Sequence, residues 1–298
     1  MICSICSIGM IPHNTLHGVF ACTRCGLLAS DFPVEINRSN VVDEVVRVEG
    51  LRLLRETNYH QIFHECASLL EKGASILDVG SGHGWFVEAA NRRGFRCHGI
   101  EPDAAMARKS IARGLPVTQG FFPDSVTGRY DVITFNDVIE HLTDVHAIPA
   151  MIAERLNNRG LVIVSLPLSE GAIFHLSTLA ARCGIEGPLA RMWQRGLPSP
   201  HLSYFSRRTI RSLFERAGFE FVASGDLQSV VTTGLYRRIR ADSKVRTRDA
   251  IAIYLAALFL RIIIPLFPSD TGYFVFRKSH APHLETANER RASARNLS

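Results

Sequence analysis

The sequence predicts an α/β fold: a mainly parallel sheet with helices on both faces, preceded by a small cysteine-rich module. Three observations predict this architecture. Short β-rich runs alternate with helix-like stretches between residues 75 and 168, one apolar run leads into a glycine-rich turn, and four of the seven cysteines form two close pairs near the N-terminus. The chain has 298 residues, 46% of them hydrophobic, which suffices for one substantial core and a small appendage.

The N-terminal cysteines form two Cys-x-x-Cys pairs with fifteen residues between them. Two such pairs can bring four thiolates to one tetrahedral metal ion, and the spacing matches a structural zinc ribbon. The predicted ligands are Cys3, Cys6, Cys22 and Cys25, a complete set that leaves no position for water. His13 and His17 lie between the pairs and could substitute for a cysteine, although loop positions suit them better. The ribbon is expected over residues 1–33, ending at the linker Asp31-Phe32-Pro33.

The charge of the chain argues against a nucleic-acid groove. Much of the net charge of +6 comes from the segment between Arg237 and Arg248 and from the C-terminal tail. Charge clustered in this way is typical of a solvated face or a tail. The first residues lack a basic stretch followed by an apolar run, so no secretory signal is expected. An odd number of cysteines fits metal binding in a reducing compartment, and we expect a cytoplasmic protein.

The remaining elements follow from hydrophobic periodicity. A helical pattern between residues 41 and 72 precedes the alternating segment, which predicts β-α-β units and a parallel sheet. The predicted strands are Ile76–Val79, Cys97–Ile100, Pro116–Thr118, Val132–Phe135, Leu161–Leu166, Phe219–Ala223 and Tyr273–Phe276, with a helix over Arg208–Ala217. One domain is expected over residues 34–278, with insertions at 169–203 and 225–271 and a disordered tail at 279–298. Cys66, Cys97 and Cys183 are expected to be small core side chains.

A turn with three glycines, Gly80, Gly82 and Gly84, lies between the first predicted strand and a helix. Glycines let the backbone turn sharply and approach a ligand, and a helix N-terminus offers free N–H groups. At the end of the next strand, Glu101 can accept hydrogen bonds from both hydroxyls of a ribose. A nucleotide-like ligand is therefore implied. The dinucleotide pattern Gly-x-Gly-x-x-Gly is not met, because Trp85 occupies the position of its third glycine.

The run from Asp78 to Gly84 resembles the first motif of class I S-adenosylmethionine-dependent methyltransferases. Further likenesses follow in chain order: Tyr130 to Leu142 resembles the fourth-strand motif, and Arg159 to Pro167 is similar to the fifth strand. The segments His201 to Ser206 and Ala217 to Phe219 resemble the stretch before the sixth strand in a broad bacterial subfamily. The resemblance implies a Rossmann-like, mainly parallel seven-stranded sheet and methyl transfer from S-adenosylmethionine.

The same resemblance implies a set of cofactor contacts. They are Asp78, Gly80, Ser81, Gly82, His83, Gly84 and Trp85 around the turn, Glu101 and Pro102 at the second strand, Gly120 and Phe121 at the third, and Asn136 and Asp137 at the fourth. The chain departs from the family at Phe121, where many relatives carry an acid that contacts the adenine amino group. Apolar contact between Phe121 and adenine is one expectation, and packing of Phe121 in the core is the other.

His201, His141 and Glu140 are the candidate catalytic residues. Methyl transfer is an in-line displacement, so much of the catalysis comes from holding the acceptor about 3 Å from the methyl carbon. A hydroxyl acceptor also needs a neutral base. His201 follows the first insertion beside Tyr204 and Phe205, which could stack on a sugar ring, or it makes a structural hydrogen bond in a turn. His141 acts at the cofactor end or orients the following loop, and Glu140 orients His141 or contacts the acceptor.

The ribbon bears on the class of acceptor. Ribbons that end in Cys-x-x-Cys resemble those preceding methyltransferase domains in bacterial sugar, polysaccharide and natural-product pathways, which favours a small or glycosyl acceptor, lipid-linked ones included. The alternative is a nucleic-acid methyltransferase whose ribbon reads RNA. Arg24 is the only basic side chain among residues 1–33, too little for a surface that tracks phosphates. O-methylation is favoured, although the acceptor atom and the oligomeric state stay open.

An apolar run from Ile251 to Phe267 allows three interpretations. It is interrupted only by Arg261 and Pro265, and basic residues precede it. A lid or dimer surface and a helix lying on a membrane surface both fit this pattern. A spanning helix would need about 20 uninterrupted apolar residues and would prevent the last predicted strand from returning to the sheet.

Overall fold

The computed structural model describes residues 1–35, 44–229, 235–240, 246–263 and 267–279. Numbered along the chain, the strands are β1 (Ile11–Pro12), β2 (Val19–Ala21), β3 (Leu28–Ser30), β4 (Ser75–Val79), β5 (Arg96–Glu101), β6 (Val117–Gln119), β7 (Tyr130–Asn136), β8 (Leu156–Pro167), β9 (Ser203–Tyr204), β10 (Phe219–Asp226) and β11 (Thr271–Lys278). They form two sheets, one of seven strands and one of four.

The main sheet has the strand order β10-β11-β8-β7-β4-β5-β6. Only β11 runs antiparallel to its neighbours, so the predicted mainly parallel seven-stranded sheet is confirmed. Each predicted run overlaps one of these strands. The chain order reverses at β4, which pairs with β5 on one side and with β7 on the other. Open α/β sheets bind ligands at such a switch point.

Both faces of the main sheet are buried, which explains why its strands read as continuous apolar runs. Leu77, Ile133 and Phe135 belong to one core cluster, whereas Ile76 and Val132 belong to the cluster on the other face. Successive side chains of a strand point to opposite faces, so a strand covered on both sides needs apolar residues at every position.

Helices cover the two faces. The helices of the described residues are α1 (Glu44–Glu65), α2 (Trp85–Arg92), α3 (Ala104–Ala112), α4 (Ile148–Arg155), α5 (Ala172–Arg182), α6 (Gly187–Met192), α7 (Arg207–Arg216), α8 (Leu235–Arg240) and α9 (Thr247–Ile263), with a 3-10 turn over Ile139–His141. Side chains of α1 and α2 join the core cluster on one face, and those of α4 and α7 join the other. The α7 helix begins at Ser206, whose hydroxyl accepts from the Thr209 N–H in a capping box.

The N-terminal cysteine-rich segment contributes three strands to a four-stranded sheet, and the fourth strand comes from the segment before α7. Its order is β1-β2-β3-β9, and β9 lies in the segment after β8. Beyond this pairing, the Ser30 N–H donates to the Leu202 carbonyl at 2.9 Å, and the Ser30 hydroxyl donates to the His201 carbonyl at 2.7 Å. The small sheet and the first insertion are thus hydrogen-bonded to each other.

Side chains of α7 fasten the cysteine-rich segment from another direction. Arg208 donates to the Cys25 carbonyl and Arg216 to the Ile5 carbonyl, each at 2.7 Å. Ile5 and Leu27 are buried in the same core cluster as β4 and β7. The segment therefore packs into the main core.

The two predicted insertions contain regular structure. Residues 169–203 form α5 and α6 before β9 begins, while β10 extends to Asp226, inside the second predicted insertion. Cys66 and Cys97 are buried as expected. The expectation for Cys183 is wrong: it is exposed, because it caps the C-terminal end of α5 at the surface. The tail prediction falls on residues 280–298, outside the described residues.

The apolar run from Ile251 is helical up to Ile263, as α9. Among the described residues, no helix combines the length and the apolar character needed to cross a membrane. Ile251, Ile253 and Leu255 are exposed on α9.

We expect Ser30→Ala to lower the free energy of unfolding by about 1–3 kcal/mol, because it leaves the buried His201 carbonyl without its side-chain donor. Urea denaturation measures the change. Ser68→Ala, at an exposed position just after α1, is the control and should be neutral. Equal stability of the two variants would show that this bond does not hold the small sheet against the insertion.

Candidate active site

The carboxyl ends of β4, β5 and β7 lie side by side at the switch point of the main sheet. The glycine-rich turn follows β4, Glu101 ends β5 and Asn136 ends β7. Parallel neighbours place their carboxyl ends at one edge, so the fold brings these predicted cofactor contacts together. We refer to this place as the cofactor edge.

Close contacts and backbone conformation both require glycine in the turn. Gly80 has φ 67°, and a Cβ atom there would lie 2.6 Å from a methyl carbon of Val138. Gly84 has φ 69° and caps the N-terminus of α2, where a Cβ atom would lie 2.5 Å from Leu115. Left-handed backbone in such confined space excludes other residues. The α2 helix therefore begins directly after the turn, and its N-terminal N–H groups can donate hydrogen bonds to a polar ligand.

Asp78 lies beneath the turn and ties three strands together. Its Oδ1 accepts from the Thr134 hydroxyl at 2.8 Å and from the Asn136 amide at 2.9 Å. The Ser165 hydroxyl in turn donates to Oδ1 of Asn136 at 3.2 Å. Burial raises the pKa of Asp78 to about 7, and the two donors oppose this rise. Asp78 and Asn136 therefore hold β4, β7 and β8 in register where they meet the turn.

Glu101 closes the turn from β5. Its Oε2 accepts from the Gly82 N–H at 2.7 Å, and its Oε1 accepts from the Asp103 N–H at 2.8 Å. Burial raises the pKa of Glu101, whereas these two N–H donors lower it. Each carboxylate oxygen retains a further acceptor site. The Gly120 N–H donates to the Glu101 carbonyl at 3.0 Å, which places the loop after β6 beside this carboxylate.

Other predicted contacts surround the turn. The rings of His83 and Trp85 stack with centroids 4.7 Å apart. The Ser81 hydroxyl is buried without a hydrogen-bond partner among the described residues. Phe121 is 55% exposed, so its packing in the core, one of the two expectations, is wrong. Its ring is available to a ligand.

Arg55 and Tyr59 of α1 also reach the cofactor edge, although neither residue belongs to a sequence motif. Arg55 forms an ion pair with Asp137, which directly follows β7. Tyr59 is buried with its ring 5.1 Å from that of Phe86, and burial raises the pKa of its hydroxyl to about 12. The α1 helix contains several arginine and glutamate residues, so its composition does not single out Arg55.

Glu140 and His141 lie in the 3-10 turn that follows β7. Glu140 is 1% exposed, and neither of its oxygens accepts a hydrogen bond in the part of the chain that is described. Burial raises the pKa of Glu140 to about 8, an effect that the nearby N–H of its own backbone and then Arg55 oppose. His141 Nδ1 lies 2.9 Å from the Pro200 carbonyl, so His141 does orient the loop before His201. For the basic side chain of His141, burial lowers the pKa.

His201 packs against His141, with the two ring centroids 4.7 Å apart. Its Nε2 lies 2.9 Å from the side-chain amide of Gln194, while its Nδ1 is buried without a partner among the described groups. Burial and the neighbouring His141 lower the pKa of His201 well below its ordinary value. The structural hydrogen bond foreseen for His201 therefore exists, and its second nitrogen remains available.

The expectation that Tyr204 and Phe205 stack on a sugar ring is wrong. Both side chains are completely buried. Tyr204 packs between Phe174 and Trp193, because the first insertion folds back under the small sheet. Tyr204 also packs against the His201 ring, with centroids 5.5 Å apart, and neither aromatic side chain lines an open surface.

The four N-terminal cysteines converge as predicted. One sulfur atom from each of Cys3, Cys6, Cys22 and Cys25 lies within 4.8 Å of the others, and the Cys3 and Cys25 sulfurs are 3.6 Å apart. Tetrahedral Zn²⁺ with bonds of about 2.3 Å places its sulfurs roughly 3.8 Å apart. The residues present therefore fit a tetrathiolate zinc ion.

Comparisons with known proteins agree with this geometry. A family model described as a methyltransferase domain matches residues 52–224. The fold is similar to that of a methyltransferase solved with the Trm112 methyltransferase activator of Haloferax volcanii, with 18% identity, coverage of 82% of this chain and 100% of that chain, and a TM-score of 0.53. It is also similar to a SAM-dependent methyltransferase from Thermotoga maritima, with 16% identity, coverage of 79% and 96%, and a TM-score of 0.50.

Comparison with curated protein sequences gave no match. The family model spans the glycine-rich turn, the edge of β5 and the 3-10 turn after β7, which are the elements that build the site. The chain therefore belongs to the family of methyltransferase domains, and its fold is similar to that of a SAM-dependent methyltransferase of known structure.

Proposed function

We propose that the chain transfers a methyl group from S-adenosylmethionine to a hydroxyl group of a small or glycosyl acceptor. The observation that carries this proposal is the cluster that Glu140 and His141, in the 3-10 turn after β7, form with His201, which lies just before β9. A hydroxyl loses its proton when it is methylated, and the nitrogen and carboxylate lone pairs of the cluster can accept that proton. The glycosyl part of the proposal rests on the likeness of the cysteine ribbon to those of sugar-modifying enzymes.

The cofactor is expected to lie along the cofactor edge. Glu101 would accept from the ribose hydroxyls with the oxygen sites that Gly82 and Asp103 leave open. The adenine would lie against the exposed ring of Phe121, and the methionine end would approach Asn136 and Asp137. In this placement the methyl group points toward the 3-10 turn that carries Glu140 and His141.

The hydrogen bond between His141 and the Pro200 carbonyl selects the tautomer that has its proton on Nδ1. A carbonyl oxygen only accepts, so Nδ1 of His141 donates its proton to Pro200, and Nε2 keeps a lone pair. That lone pair is 3.9 Å from Oε1 of Glu140. The displacement itself needs no covalent enzyme intermediate. The enzyme has to hold the acceptor in line with the methyl group.

Exposed apolar side chains support an apolar or lipid-linked part of the acceptor. Leu176 and Leu179 are more than half exposed on α5, and Ile185 is exposed just after it. Ile251 and Leu255 are exposed on α9. Such patches are typical of surfaces that contact a partner or a membrane. We propose a cytoplasmic enzyme with peripheral membrane contact through residues 251–267.

The arrangement of arginines disfavours the alternative of an RNA methyltransferase. Arg208 and Arg216 of α7 lie against the ribbon, and both donate to its carbonyl groups. These side chains hold the ribbon in place and are not free to track phosphates. The ribbon is accordingly proposed as a structural support that contains one zinc ion.

We predict one zinc ion per chain bound by the ribbon. Four thiolates at these distances fit a closed structural site, whose apparent binding free energy of about 10–16 kcal/mol would hold the short β-strands together. Elemental analysis of freshly reduced protein purified without a metal-binding tag measures it. The double variant Cys22→Ser/Cys25→Ser should lose the ion, whereas Cys183→Ser, at an exposed cysteine outside the ribbon, should keep it. Metal-free wild-type protein whose four thiols react freely would contradict the ribbon.

Glu101→Gln should weaken S-adenosylmethionine binding at least about tenfold. The amide keeps the shape of the side chain but loses the charge-assisted hydrogen bonds to the ribose, each worth about 1.5–3 kcal/mol. Isothermal titration calorimetry on folded protein measures the dissociation constant. Glu215→Gln, at an exposed position of α7, serves as the matched control. If both variants bind the cofactor equally well, the cofactor does not lie against Glu101.

His201→Gln should leave cofactor affinity nearly unchanged and lower turnover by about 10²–10⁴-fold, the scale expected when a positioned proton acceptor is removed. The assay uses labelled S-adenosylmethionine with nucleotide sugars and polyprenyl-linked glycans, and RNA is tested in parallel. His98→Gln, on β5 and bonded to Thr118, is the control. Transfer to RNA alone, or full turnover by His201→Gln with every acceptor, would contradict the proposed function.

A further inference from the structure

The cluster after β7 contains buried polar atoms that the described residues do not satisfy. Both carboxylate oxygens of Glu140 and the Nδ1 atom of His201 lack hydrogen-bond partners there. Glu140 is 1% exposed and His201 is 5% exposed. Burying a carboxylate is costly unless it is paired, hydrogen-bonded or bound to a metal ion. Unpartnered atoms at this depth therefore point to a missing ligand.

The side chains of Glu140, His141 and His201 converge on one point. Glu140, His141 and His201 each offer one atom that lies within 4.8 Å of the other two. Nitrogen and oxygen ligands at about 2.0–2.2 Å from one ion are roughly 3.3–3.6 Å apart in a tetrahedron. Nε2 of His141 and Oε1 of Glu140 are already 3.9 Å apart. Closing the remaining distance takes a movement of about one ångström at the side-chain ends.

Hydrogen bonds behind each imidazole ring suit coordination. His141 donates from Nδ1 to the Pro200 carbonyl, which leaves Nε2 facing Glu140. Nε2 of His201 lies 2.9 Å from the amide of Gln194, whose oxygen and nitrogen can exchange places by rotation. With the oxygen on that side, Gln194 accepts the Nε2 proton, and Nδ1 of His201 keeps its lone pair. Histidines that bind metal ions regularly donate their other N–H to such partners.

We propose that Glu140, His141 and His201 bind one divalent transition-metal ion. Two imidazoles and one carboxylate form a donor set that binds such ions and leaves positions open for substrate. His141 is the most exposed of the three, with 17% of its side chain accessible, so the open position lies on its side. The nearby charges of Arg55 and Asp137 are paired with each other, so the Glu140 carboxylate is the anion that balances the ion.

The role of this ion in catalysis rests on the proposed function, whereas its binding does not. An acceptor hydroxyl at the open position would become more acidic and release its proton to solvent water. The resulting oxygen attacks the methyl carbon. The carbon–sulfur bond breaks with its electron pair going to sulfur, so the sulfonium becomes the neutral thioether of S-adenosylhomocysteine. One ether is formed and one proton is released, and no oxidant or reductant is required.

Titration with Co²⁺ tests the binding directly. The full chain is first given one equivalent of Zn²⁺, which goes to the four thiolates and which Co²⁺ does not readily displace there because Co²⁺ binds more weakly in the divalent series. We expect a further equivalent of Co²⁺ to bind, with visible d–d absorption and without the thiolate-to-cobalt charge-transfer band that ribbon cysteines produce. X-ray absorption at the cobalt edge of the wild-type protein should show imidazole ligands and no sulfur.

Matched variants locate the ion. Glu140→Gln keeps the shape of the side chain and should abolish binding of the second ion, and His201→Gln should do the same. Gln194→Leu, which removes the outer contact, should weaken Co²⁺ affinity by about 10–100-fold. His98→Gln, a histidine on β5 outside the cluster, should bind Co²⁺ like wild type. Thermal unfolding of each variant shows whether it is folded.

The proposal is overturned if the wild-type protein takes up no second ion, if the bound cobalt carries sulfur ligands, or if Glu140→Gln retains the ion. The absorption experiment on wild type decides the matter even if a variant does not fold. Should the ion bind as described while no hydroxyl acceptor is methylated, the metal site stands and the proposed function fails. Should hydroxyl transfer proceed at an equal rate with and without Co²⁺, the methyl-transfer function stands and the catalytic role of the ion is wrong.

Discussion

The arrangement at the cofactor edge depends on one buried carboxylate, that of Asp78 at the end of the central strand. It receives hydrogen bonds from Thr134 and Asn136, and Asn136 in turn accepts a hydrogen bond from Ser165. Burying a carboxyl is costly unless its oxygens accept hydrogen bonds, so these bonds favour an arrangement in which β4, β7 and β8 end in register. The glycine-rich turn, the residues after β7 and the segment after β8 all start from this fixed edge.

The first insertion links that edge to the cysteine ribbon. The Leu202 N–H donates to the Glu140 carbonyl at 2.8 Å, while Ser30 of the ribbon binds the backbone on either side of it. His201 is consequently held between the 3-10 turn and the small sheet. A ribbon that binds zinc would act on methyl transfer through this position, without touching the cofactor. The contact between the first insertion and the small sheet also explains why Tyr204 and Phe205 are core residues.

The sequence predicted those features whose cause is local. Strands buried on both faces must be apolar throughout, and a turn that needs left-handed backbone at Gly80 and Gly84 must contain glycine. Contacts between distant segments were not predictable in this way. Ser30 and His201 are 171 residues apart, and the contacts of Arg55 and Gln194 follow no motif. Tyr204 and Phe205 were misjudged because their burial depends on a sheet shared between the ribbon and the insertion.

The central claim is that the acceptor is methylated between the cofactor edge and the cluster of Glu140, His141 and His201. A crystal structure of the protein with bound S-adenosylhomocysteine measures this most directly. The account predicts ribose hydroxyls within about 3 Å of the Glu101 carboxylate and a sulfur atom whose open side faces Glu140 and His141. A sulfur atom that faces the opposite side of the sheet edge, away from this cluster, would contradict the account.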